Sequence, residues 1–291
     1  MGEALPRGFF STDLHGYIQR YEKLQSRMLK DRPPVLFLGG DLLPRPRLSD
    51  VQSELGENDF VHDYLVPMFR NIRSRLASDY PEVFLIPGND DPRSTESAFM
   101  AAEDEGLWHY AHEQKFQWKG FAIYGLAYIP PTPFLLKDWE RYDISRYVPA
   151  GSVSPEEGIR TVAVEENVVK WSTIEKHLAA LVGDDSLDRA ICLFHAPPCD
   201  TPLDRAALDG QMCEEVPIDV HVGSIAVRRF IEQRQPLLTL HGHVHEAARI
   251  TGKWKMEIGR TTCINGAHDG PELSLVSFDL ESPDTATREL L

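Results

Sequence analysis

The sequence predicts an α/β or α+β fold. Short apolar runs alternate along the chain with longer amphipathic runs, which is the pattern of strands layered against helices. The chain has 291 residues, of which 42% are apolar, so it can bury a sizeable core. No stretch approaches the roughly 18 consecutive apolar residues that a membrane-spanning helix needs. We therefore expect a globular protein.

The apolar runs predict nine strands, and the amphipathic runs predict four helices. The predicted strands are Gly8–Ser11, Val35–Leu38, Val83–Ile86, Phe121–Leu126, Ala190–Phe194, Leu237–Leu240, Ala247–Thr251, Thr262–Ile264 and Leu273–Leu280. The predicted helices are Tyr17–Lys30, Asp59–Ser78, Thr161–Leu181 and Ser224–Gln233. Ser224 occupies the N-cap position of the last helix, where its hydroxyl can accept a backbone N–H bond.

Two segments have the character of insertions. Residues 42–58 contain the run Pro-Arg-Pro-Arg and show no clear period. Residues 130–158 are rich in proline, aromatic and charged residues. A loop of that length inside a compact domain is usually functional or mobile. Either a disordered surface excursion or an active-site lid fits the second segment.

The charge and the cysteines bear on partners and location. The formal net charge is −15, and an acidic surface repels phosphates, so DNA or RNA is not expected as a partner. The first ten residues lack the basic and apolar regions of a secretory signal. The four cysteines form no CxxC pair, which fits reduced thiols in the cytoplasm. No feature of the sequence predicts the oligomeric state.

Polar side chains that could bind metal follow the ends of five apolar runs. They are Asp13 and His15 after the first predicted strand, Asp41 after the second, Asn89 and Asp90 after the third, His195 after Ala190–Phe194, and His243 and His245 after Leu237–Leu240. In α/β sheets, ligands collect at the C-terminal edge of the strands. These side chains can therefore converge on one crevice.

The candidate ligands combine carboxylate and amide oxygens with imidazole nitrogens. Such a mixed set suits borderline divalent ions such as Mn, Fe or Zn better than Ca or Mg. Residues two apart in an extended backbone point the same way, so Asp13 and His15 can face one site, as can His243 and His245. Four glycines let the backbone approach where a side chain would block the ions: Gly39, Gly40, Gly88 and Gly242.

No single motif is decisive. Asp-x-His occurs by chance in many chains, Gly-Gly-Asp is more often a turn, and a lone histidine is more often a packing residue. The run His241–His245 is moderately specific, although three histidines can also form an adventitious metal patch. The ordered set, with each member at the end of a strand, favours a metal centre over these alternatives.

In their order along the chain, these motifs resemble those of the calcineurin-like metallophosphoesterase superfamily. They are Asp13-x-His15, Gly40-Asp41, Gly88-Asn89, His195 and Gly242-His243-x-His245. Two stretches, HAPPCDTPLDR and GSIAVRRFIEQRQPLLTLHGHVHE, resemble the Icc-related predicted phosphoesterases. The resemblance implies a four-layer αββα sandwich of two mixed sheets flanked by helices. It also implies one catalytic domain over residues 1–291, because the ligands interleave over most of the chain.

The resemblance implies a role for each motif residue. Asp13, His15 and His245 would hold one metal, Asn89, His195 and His243 a second, and Asp41 would bridge both. Two metals about 3.5–4 Å apart can share a hydroxide that attacks phosphorus in line. We expect two divalent ions, Mn first, with Fe, Zn or Ni as alternatives. The catalytic set is Asp41, Asn89, Asp90 and His195.

Asp90 departs from the superfamily pattern. Much of the superfamily has a histidine there, thought to contact the phosphate or protonate the leaving group, and Asp91 matches the acid that follows it. An aspartate can donate a proton only if its pKa is raised, which close neighbours such as Asp91 could cause. The alternative, slightly favoured, is that Asp90 only caps a turn or a helix start. Substrates with good leaving groups should then be favoured.

Other polar residues have weaker assignments. His241 is expected to pack or to support a ligand, and Glu246 either orients an imidazole or lies exposed. Asn265-Gly266 resembles a turn that closes the site in the superfamily. Four arginines of the insertions either clamp a substrate phosphate or, as favoured, lie on a solvated face: Arg45, Arg47, Arg141 and Arg146. The remaining histidines are assigned to the surface or to packing: His62, His109, His112, His177, His221 and His268.

Three functions compete. Hydrolysis of a small phosphoester is the leading hypothesis; the substrate would be a phosphodiester or a phosphomonoester, with small nucleotides among the candidates. A nuclease would need a basic stripe, which this acidic chain lacks. A metal-poor scaffold on the same fold would be expected to have lost ligands, whereas here every ligand position is filled.

Overall fold

Two six-stranded mixed β-sheets lie at the centre of the computed structural model, which describes residues 7–45 and 59–291. Within these residues the strands are β1 Gly8–Ser11, β2 Val35–Leu38, β3 Glu82–Leu85, β4 His109–Tyr110, β5 Lys115–Trp118, β6 Phe121–Leu126, β7 Ala190–Phe194, β8 Met212–Cys213, β9 Val216–Pro217, β10 Leu238–His241, β11 Lys255–Ile258, β12 Thr261–Asn265, β13 Ser274–Phe278 and β14 Thr287–Leu290. The α-helices are α1 Ile18–Asp31, α2 Val66–Leu76, α3 Glu96–Asp104, α4 Glu166–Trp171, α5 Ile174–Val182, α6 Ile225–Arg234 and α7 Ala247–Thr251.

Each large sheet has a parallel centre. The first has the order β14-β13-β1-β2-β3-β4, in which β1 to β4 run parallel. The second has the order β11-β12-β10-β7-β6-β5, in which β12, β10, β7 and β6 run parallel. Parallel strands end at the same edge of a sheet, so the segments that follow β1, β2 and β3 are neighbours, as are those that follow β7 and β10.

Both faces of each sheet are buried. Along β1, Phe9 packs in the cluster that includes α1 and α2, whereas Phe10 packs between the two sheets, because successive strand side chains point to opposite faces. On β7, Phe194 packs with α5 and α6, and Leu193 packs between the sheets. Strands buried on both faces have continuous apolar sequences. The predicted four-layer αββα sandwich of two mixed sheets is confirmed.

Three of the four predicted helices form much as expected. Ser224 caps α6, because its Oγ accepts the N–H of Val227 at 3.0 Å. The predicted helix Asp59–Ser78 begins with a π-helical turn at Val61–Leu65 before α2 starts. Pro67 lies in the first turn of α2 and has no N–H for a regular helical bond, which accounts for the wider turn before it.

Two predicted elements are wrong. Ala247–Thr251 is the helix α7 rather than a strand, because alanines favour a helix and Gly252 ends it in the left-handed conformation. The predicted helix Thr161–Leu181 is instead the two short helices α4 and α5. They are separate because Thr173 caps α5, accepting the N–H of Lys176 at 3.2 Å.

The sequence did not predict the strands at the edges of the two sheets. These edge strands are β4, β5, β11 and β14. Most side chains of β5, β11 and β14 are exposed or half-buried, so these strands lack the apolar runs that identify the central ones. Prediction from hydrophobic pattern therefore succeeds at the centre of each sheet and fails at its edges.

Residues 130–158 pack into the fold. Lys137, Glu140 and Arg141 are buried, and Lys137 Nζ lies 2.5 Å from Glu140 Oε2. Trp139 is also buried, and its Nε1 donates to the carbonyl oxygen of Asp91 at 2.6 Å. A disordered surface excursion is therefore wrong for this segment. Its role as a lid stays a prediction.

Two further expectations can be compared with the described residues. Of the other predicted insertion, residues 42–58, only residues 42–45 are described, and Arg47 lies outside them. Among the helices of the two described ranges, none has the length and apolar character needed to cross a membrane.

Candidate metal centre

The seven predicted ligands come together where the parallel strands of both sheets end. Asp13 and His15 follow β1, Asp41 follows β2, Asn89 follows β3, His195 follows β7, and His243 and His245 follow β10. They lie in two groups that share Asp41.

The first group contains Asp13, His15, Asp41 and His245. Each offers one ligand atom, and the four atoms lie within 4.8 Å of one another. His245 Nε2 is 3.0 Å from Asp13 Oδ1 and 3.2 Å from His15 Nε2. His15 Nε2 is 3.8 Å from Asp41 Oδ2. Nitrogen and oxygen donors at this spacing could hold one divalent cation.

The second group contains Asn89, His195 and His243. Asn89 Oδ1 lies 2.7 Å from His243 Nδ1 and 3.2 Å from His195 Nε2. His195 Nε2 is also 3.6 Å from Asp41 Oδ1. Asp41 therefore directs one carboxylate oxygen toward each group, which is the geometry that a bridging ligand needs.

The hydrogen bonds around the second group leave lone pairs facing one another. His195 Nδ1 donates to the carbonyl oxygen of Gly39, so its Nε2 is the nitrogen that can present a lone pair. Asn89 Nδ2 donates to Asp90 Oδ1 at 3.0 Å, so Asn89 Oδ1 faces the histidines. Lone pairs in such contact require a proton or a cation between them. The donor set therefore fits a divalent cation.

The protonation states of Asp13, His15 and His243 suit a cation. Burial raises the pKa of Asp13, but the neighbouring imidazoles outweigh this effect and keep the pKa below its ordinary value. Burial lowers the pKa of His15 to about 4 and that of His243 to about 3, so both are neutral at pH 7, as metal ligands must be. Burial opposes protonation of His195, but Asp41 prevails and raises its pKa to about 9. A divalent cation at Nε2 would replace this proton.

Four of the seven predicted ligands have a left-handed backbone: Asp13 (φ 56°), His15 (φ 47°), Asp41 (φ 52°) and His243 (φ 71°). The backbone is not extended there, so the predicted strand-like alternation is wrong as the reason for their convergence. The loops that follow β1 and β2 fix each other instead. The N–H of Asp13 donates to the carbonyl oxygen of Gly40 at 2.9 Å, and the N–H of His15 donates to the carbonyl oxygen of Asp41 at 2.8 Å. Such conformations cost about 1–3 kcal/mol each and concentrate at functional sites.

Three of the four glycines permit the close approach that the sequence predicted, and at Gly88 an added β-carbon would collide with Asp41 Oδ1. A β-carbon on Gly40 would lie 2.7 Å from His195 Nδ1, and one on Gly242 would lie 2.5 Å from Asp13 Oδ2. Both separations are far below van der Waals contact. A side chain at either position would displace a candidate ligand.

Asp91 joins two of the ligand loops. Its fully buried carboxylate accepts the N–H groups of Leu42 at 3.1 Å, Leu43 at 2.7 Å and Gly88 at 2.8 Å. Burial raises the pKa of Asp91 to about 7. These bonds fix the loop that carries Asp41 against the loop that carries Asn89.

Asp90 differs from the interpretation that the sequence favoured. Among the described residues, its oxygens accept hydrogen bonds from the Arg45 Nε at 3.0 Å and from the Asn89 side chain at 3.0 Å. Its Oδ2 also lies 3.6 Å from His15 Nδ1. Turn capping is therefore the role of Asp91, and the carboxylate of Asp90 faces the site.

Sequence reasoning missed Arg20 in α1. Its Nη1 donates to the carbonyl oxygen of Asp13 at 2.6 Å, and the side chain is buried. Arg20 thereby holds the backbone of a candidate ligand. The signal was a charged residue on the apolar side of the predicted helix, next to Tyr21 and in line with Leu24.

Three residues with open assignments support the site from outside. His241 is fully buried and bonds Thr239 and a backbone carbonyl, so it is a packing residue. Glu246 neither orients an imidazole nor lies free, because it accepts the N–H of Ala207 at 2.9 Å. Asn265 Nδ2 donates to the carbonyl oxygen of the residue between His243 and His245 at 3.1 Å.

The arginines of the second insertion do not lie on one solvated face. Arg141 is buried, with its guanidinium 4.3 Å from the centre of the Tyr128 ring, so a solvated face is wrong for it. Arg146 pairs with Glu156 at 2.6 Å on the surface. Neither residue lines the cavity beside the first ligand group.

The cavity beside the first ligand group has a volume of about 570 Å³. Its walls include His15, Tyr17, Arg20, Arg45, His245 and His268. His268, which was expected at the surface or in packing, is one of these wall residues. The volume falls within the range of small-molecule sites.

Comparison with known proteins identifies the family and the fold. The family model of calcineurin-like phosphoesterases matches residues 9–247. One solved structure is 17% identical with a TM-score of 0.61, each chain being covered to 98%. The TT1561 protein of Thermus thermophilus is 17% identical with a TM-score of 0.55, each chain being covered to 99%. A dimetal phosphatase from Danio rerio is 13% identical with a TM-score of 0.51, over 94% of this chain and 93% of that one.

At these identities the likeness to the solved structures concerns the fold alone. No curated protein sequence matches the chain significantly. The assignment to the Icc-related branch stays a prediction. The family model, in contrast, covers most of the chain and includes all seven candidate ligands. This protein belongs to the calcineurin-like phosphoesterase family.

Proposed function

We propose that this protein is a dinuclear metal-dependent phosphoesterase. The observation that carries the proposal is the position of Asp41 between two ligand groups. Its Oδ2 lies 3.8 Å from His15 Nε2, and its Oδ1 lies 3.6 Å from His195 Nε2. One carboxylate with an oxygen toward each group is what two adjacent cations require.

In this proposal the chain holds and orients its ligands through its own groups. Two bound divalent cations would supply Lewis acidity, which activates water and neutralises charge on phosphoryl oxygens. The N–H of His243 donates to Asp13 Oδ1 at 3.1 Å, and the N–H of Asp90 donates to Asp41 Oδ1 at 2.8 Å. These bonds fix the direction of both carboxylates. The proposed catalytic set remains Asp41, Asn89, Asp90 and His195.

Manganese is the ion that we propose first, with Fe, Zn or Ni as alternatives. The ligands are imidazole nitrogens with carboxylate and amide oxygens, a set that suits these borderline ions. Two divalent cations carry four positive charges, against two negative charges on Asp13 and Asp41. The site can therefore attract a phosphoester although the chain has a net charge of −15.

The proposed substrate is a small phosphodiester or phosphomonoester, with small nucleotides among the candidates. The 570 Å³ cavity admits a small molecule, and the 56% exposed side chain of Tyr17 on its wall could pack against an organic group. Nucleic acid is not proposed, because the acidic chain would repel it. A reducing cytoplasmic setting is part of the proposal, since all four cysteines are free thiols.

The test is turnover after metal removal and reloading. The protein is treated with a chelator, reloaded with Mn, and assayed on bis-p-nitrophenyl phosphate and p-nitrophenyl phosphate. We expect activity only after reloading. Asp41→Asn should reduce kcat/KM by at least about 100-fold, the scale of one strong electrostatic contact to the reacting group.

Asp104→Asn is the matched control, because Asp104 is an exposed aspartate of α3. It should retain wild-type activity. A folded protein that stays inactive and metal-free after loading with Mn would favour the scaffold instead. Equal activity of Asp41→Asn and wild type would also contradict the proposal.

A further inference from the structure

Tyr17 is an exposed aromatic residue on the wall of the cavity beside the first ligand group. It is 56% exposed, and Ile18, which follows it on the same wall, is 42% exposed. Single exposed apolar residues are ordinary on a protein surface. Here, however, two of them lie side by side in a concave surface that also carries His15 and His245. Small-molecule sites combine apolar walls with a few polar groups in this way.

The turn that carries the candidate ligand His15 also carries Tyr17. The N–H of Tyr17 donates to the carbonyl oxygen of Leu14 at 3.0 Å, and the two residues between them have φ values of 47° and 66°. Positive φ at both central positions is the pattern of a tight type I′ turn. The N–H of Gly16 also donates to the carbonyl oxygen of Leu42 at 3.0 Å, which fixes the turn against the loop that follows β2. The backbone of Tyr17 therefore has a fixed position relative to His15.

The ring of Tyr17 is oriented by Arg20. The guanidinium carbon of this buried arginine lies 4.8 Å from the centre of the ring. The guanidinium is itself fixed, because Nη1 donates to the carbonyl oxygen of Asp13 at 2.6 Å and Nη2 donates to that of Gly270 at 2.5 Å. Attraction between a cation and the face of an aromatic ring favours one orientation of the ring. Arg20 lies over one face of the ring, which leaves the other face for a ligand in the cavity.

Another part of the cavity wall comes from the loop between β12 and β13. His268 and Pro271 lie on it, and the carbonyl oxygen of Gly270 between them accepts the bond from Arg20. The imidazole of His268 is held by Glu272, since Nε2 lies 2.9 Å from Glu272 Oε2. This wall therefore adds two further ring surfaces to that of Tyr17. A planar aromatic group can pack against such surfaces over a whole face.

We propose that Tyr17 is a specificity-determining residue, which stacks on a flat aromatic ring in the organic group of the phosphoester. The site would then select such esters over esters of similar size with an aliphatic group. This inference rests on the proposed function and adds the substrate class to it. The candidate ligands would hold the phosphoryl group, and the ring of the ester would reach Tyr17 along the wall that begins at His15. A cavity of 570 Å³ has room for both parts of such a molecule.

The alternative is that Tyr17 only shields Arg20 from solvent. Its loss would then disturb Arg20 and the backbone of Asp13, and the protein would bind cations and all anionic ligands more weakly. Stacking predicts a different result, because only ligands with an aromatic ring would lose affinity. The chain offers a matched control in Tyr147, which is 70% exposed and lies outside this cavity wall.

The experiment compares the binding of phenylphosphonate and cyclohexylphosphonate. The two rings have the same number of carbon atoms, but only the phenyl ring is flat and aromatic. Neither compound has an ester bond, so turnover and leaving-group chemistry do not affect the result. Each compound is titrated calorimetrically into the Mn-loaded wild type and into Tyr17→Leu, Tyr17→Phe and Tyr147→Leu, and the metal content of each protein is measured.

We expect wild type to bind phenylphosphonate more tightly than cyclohexylphosphonate. Tyr17→Leu should bind phenylphosphonate about 5- to 100-fold more weakly than wild type, the range of one aromatic stacking contact, and should lose the preference. Tyr17→Phe keeps the ring and should keep the preference, as should Tyr147→Leu. Metal content should be the same throughout.

Three results would overturn the role of Tyr17 in specificity. The first is equal affinity of wild type for the two compounds. The second is a preference for phenylphosphonate that persists in Tyr17→Leu or is lost equally in Tyr147→Leu. The third is a parallel loss of affinity for both compounds in Tyr17→Leu together with a lower metal content, which would show that Tyr17 only supports Arg20.

Failure of this inference can be told apart from failure of the proposed function. A Mn-loaded wild type without turnover of bis-p-nitrophenyl phosphate would remove the proposed function. Normal turnover by wild type, together with an unchanged preference in Tyr17→Leu, would remove only the role of Tyr17. The expected result is a raised KM for bis-p-nitrophenyl phosphate in Tyr17→Leu, with activity still dependent on Asp41.

Discussion

His195 Nδ1 donates a hydrogen bond to the carbonyl oxygen of Gly39 at 2.7 Å, and this bond crosses from one sheet to the other. Gly39 follows β2 of the first sheet, and His195 follows β7 of the second. The bond fixes both the tautomer and the direction of the imidazole. The position of one candidate ligand is therefore set by the packing of the two sheets.

Removal of this imidazole should empty one metal position and spare the other. His195→Ala deletes a ligand of the second group, whereas Asp13, His15 and His245 remain. We expect Mn titrations to show one tightly bound cation per chain. Loss of an outer hydrogen-bond partner of a metal ligand lowers metal affinity by roughly 10- to 100-fold, and the affinity for the second cation should fall by more than this. His62→Ala, which changes an exposed histidine, is the control. Two tight cations in His195→Ala would contradict the assignment.

Loss of the Asp91 carboxylate should destabilise the protein strongly. Asp91→Ala would leave three N–H groups, those of Leu42, Leu43 and Gly88, without their buried acceptor. Each unsatisfied group costs about 1–3 kcal/mol, so we expect a loss of at least about 3 kcal/mol in the free energy of unfolding. Urea denaturation measures it. The exposed Asp104→Ala should change stability by less than about 0.5 kcal/mol, and a similar value for Asp91→Ala would refute this role.

The buried pair of Lys137 and Glu140 should make stability depend on pH. Burial raises the pKa of Glu140 to about 7 and lowers that of Lys137. Because the folded pKa of Glu140 exceeds its ordinary value of 4.5, its stabilising contribution is full below that pH and is lost as the pH rises to about 7. Lys137→Met removes the cation that limits the rise in the pKa of Glu140. In this variant the loss of stability therefore continues to higher pH.

We therefore expect Lys137→Met to destabilise the fold by roughly 3–5 kcal/mol at pH 8, where an unpaired charge would be buried, and by less at pH 5. Denaturant unfolding at both values measures the difference. The double variant Lys137→Met with Glu140→Leu should recover most of the loss at pH 8, since no charge then remains buried. The same loss at pH 5 and pH 8 would show that the charge of Glu140 plays no part.

Because position 90 carries a carboxylate rather than an imidazole, the protein should act best on substrates with good leaving groups. Asp90 accepts hydrogen bonds from Arg45 and Asn89. Burial raises its pKa only to about 6, so at pH 7 it is mostly ionised and has no proton for a leaving group. Asp90→His should raise the rate on an alkyl phosphodiester relative to an aryl phosphodiester, up to the 10²- to 10⁴-fold that a positioned general acid supplies. The ratio of the two rates is the quantity to measure, because the substitution also releases Arg45. An unchanged ratio would remove any leaving-group role of this position.

The centre of the fold could be predicted from the sequence, and the edges could not. β2 and β7 are buried on both faces, so their sequences are continuous apolar runs. β11 and β14 carry polar side chains because they lie at the sheet edges, and no local pattern distinguishes them from loops. α7 was mistaken for a strand because five residues show too little of either period.

The candidate ligands could be predicted because each one follows a recognisable strand and parallel strands end together. Their backbone conformations could not, since the positive φ of Asp13 or Asp41 results from bonds between loops that are distant in sequence. For the same reason, the sequence did not distinguish Arg45 from the other three arginines of the insertions. Its contact with Asp90 depends on how the loops after β2 and β3 pack.

Elemental analysis of the Mn-loaded protein tests the central claim most directly, because all the proposed chemistry requires two cations at the seven ligands. Measured after removal of free metal, wild type should hold two divalent cations per chain, and Asp41→Asn should hold clearly fewer. A folded wild type that binds no cation, or an Asp41→Asn variant that still holds two, would contradict the account.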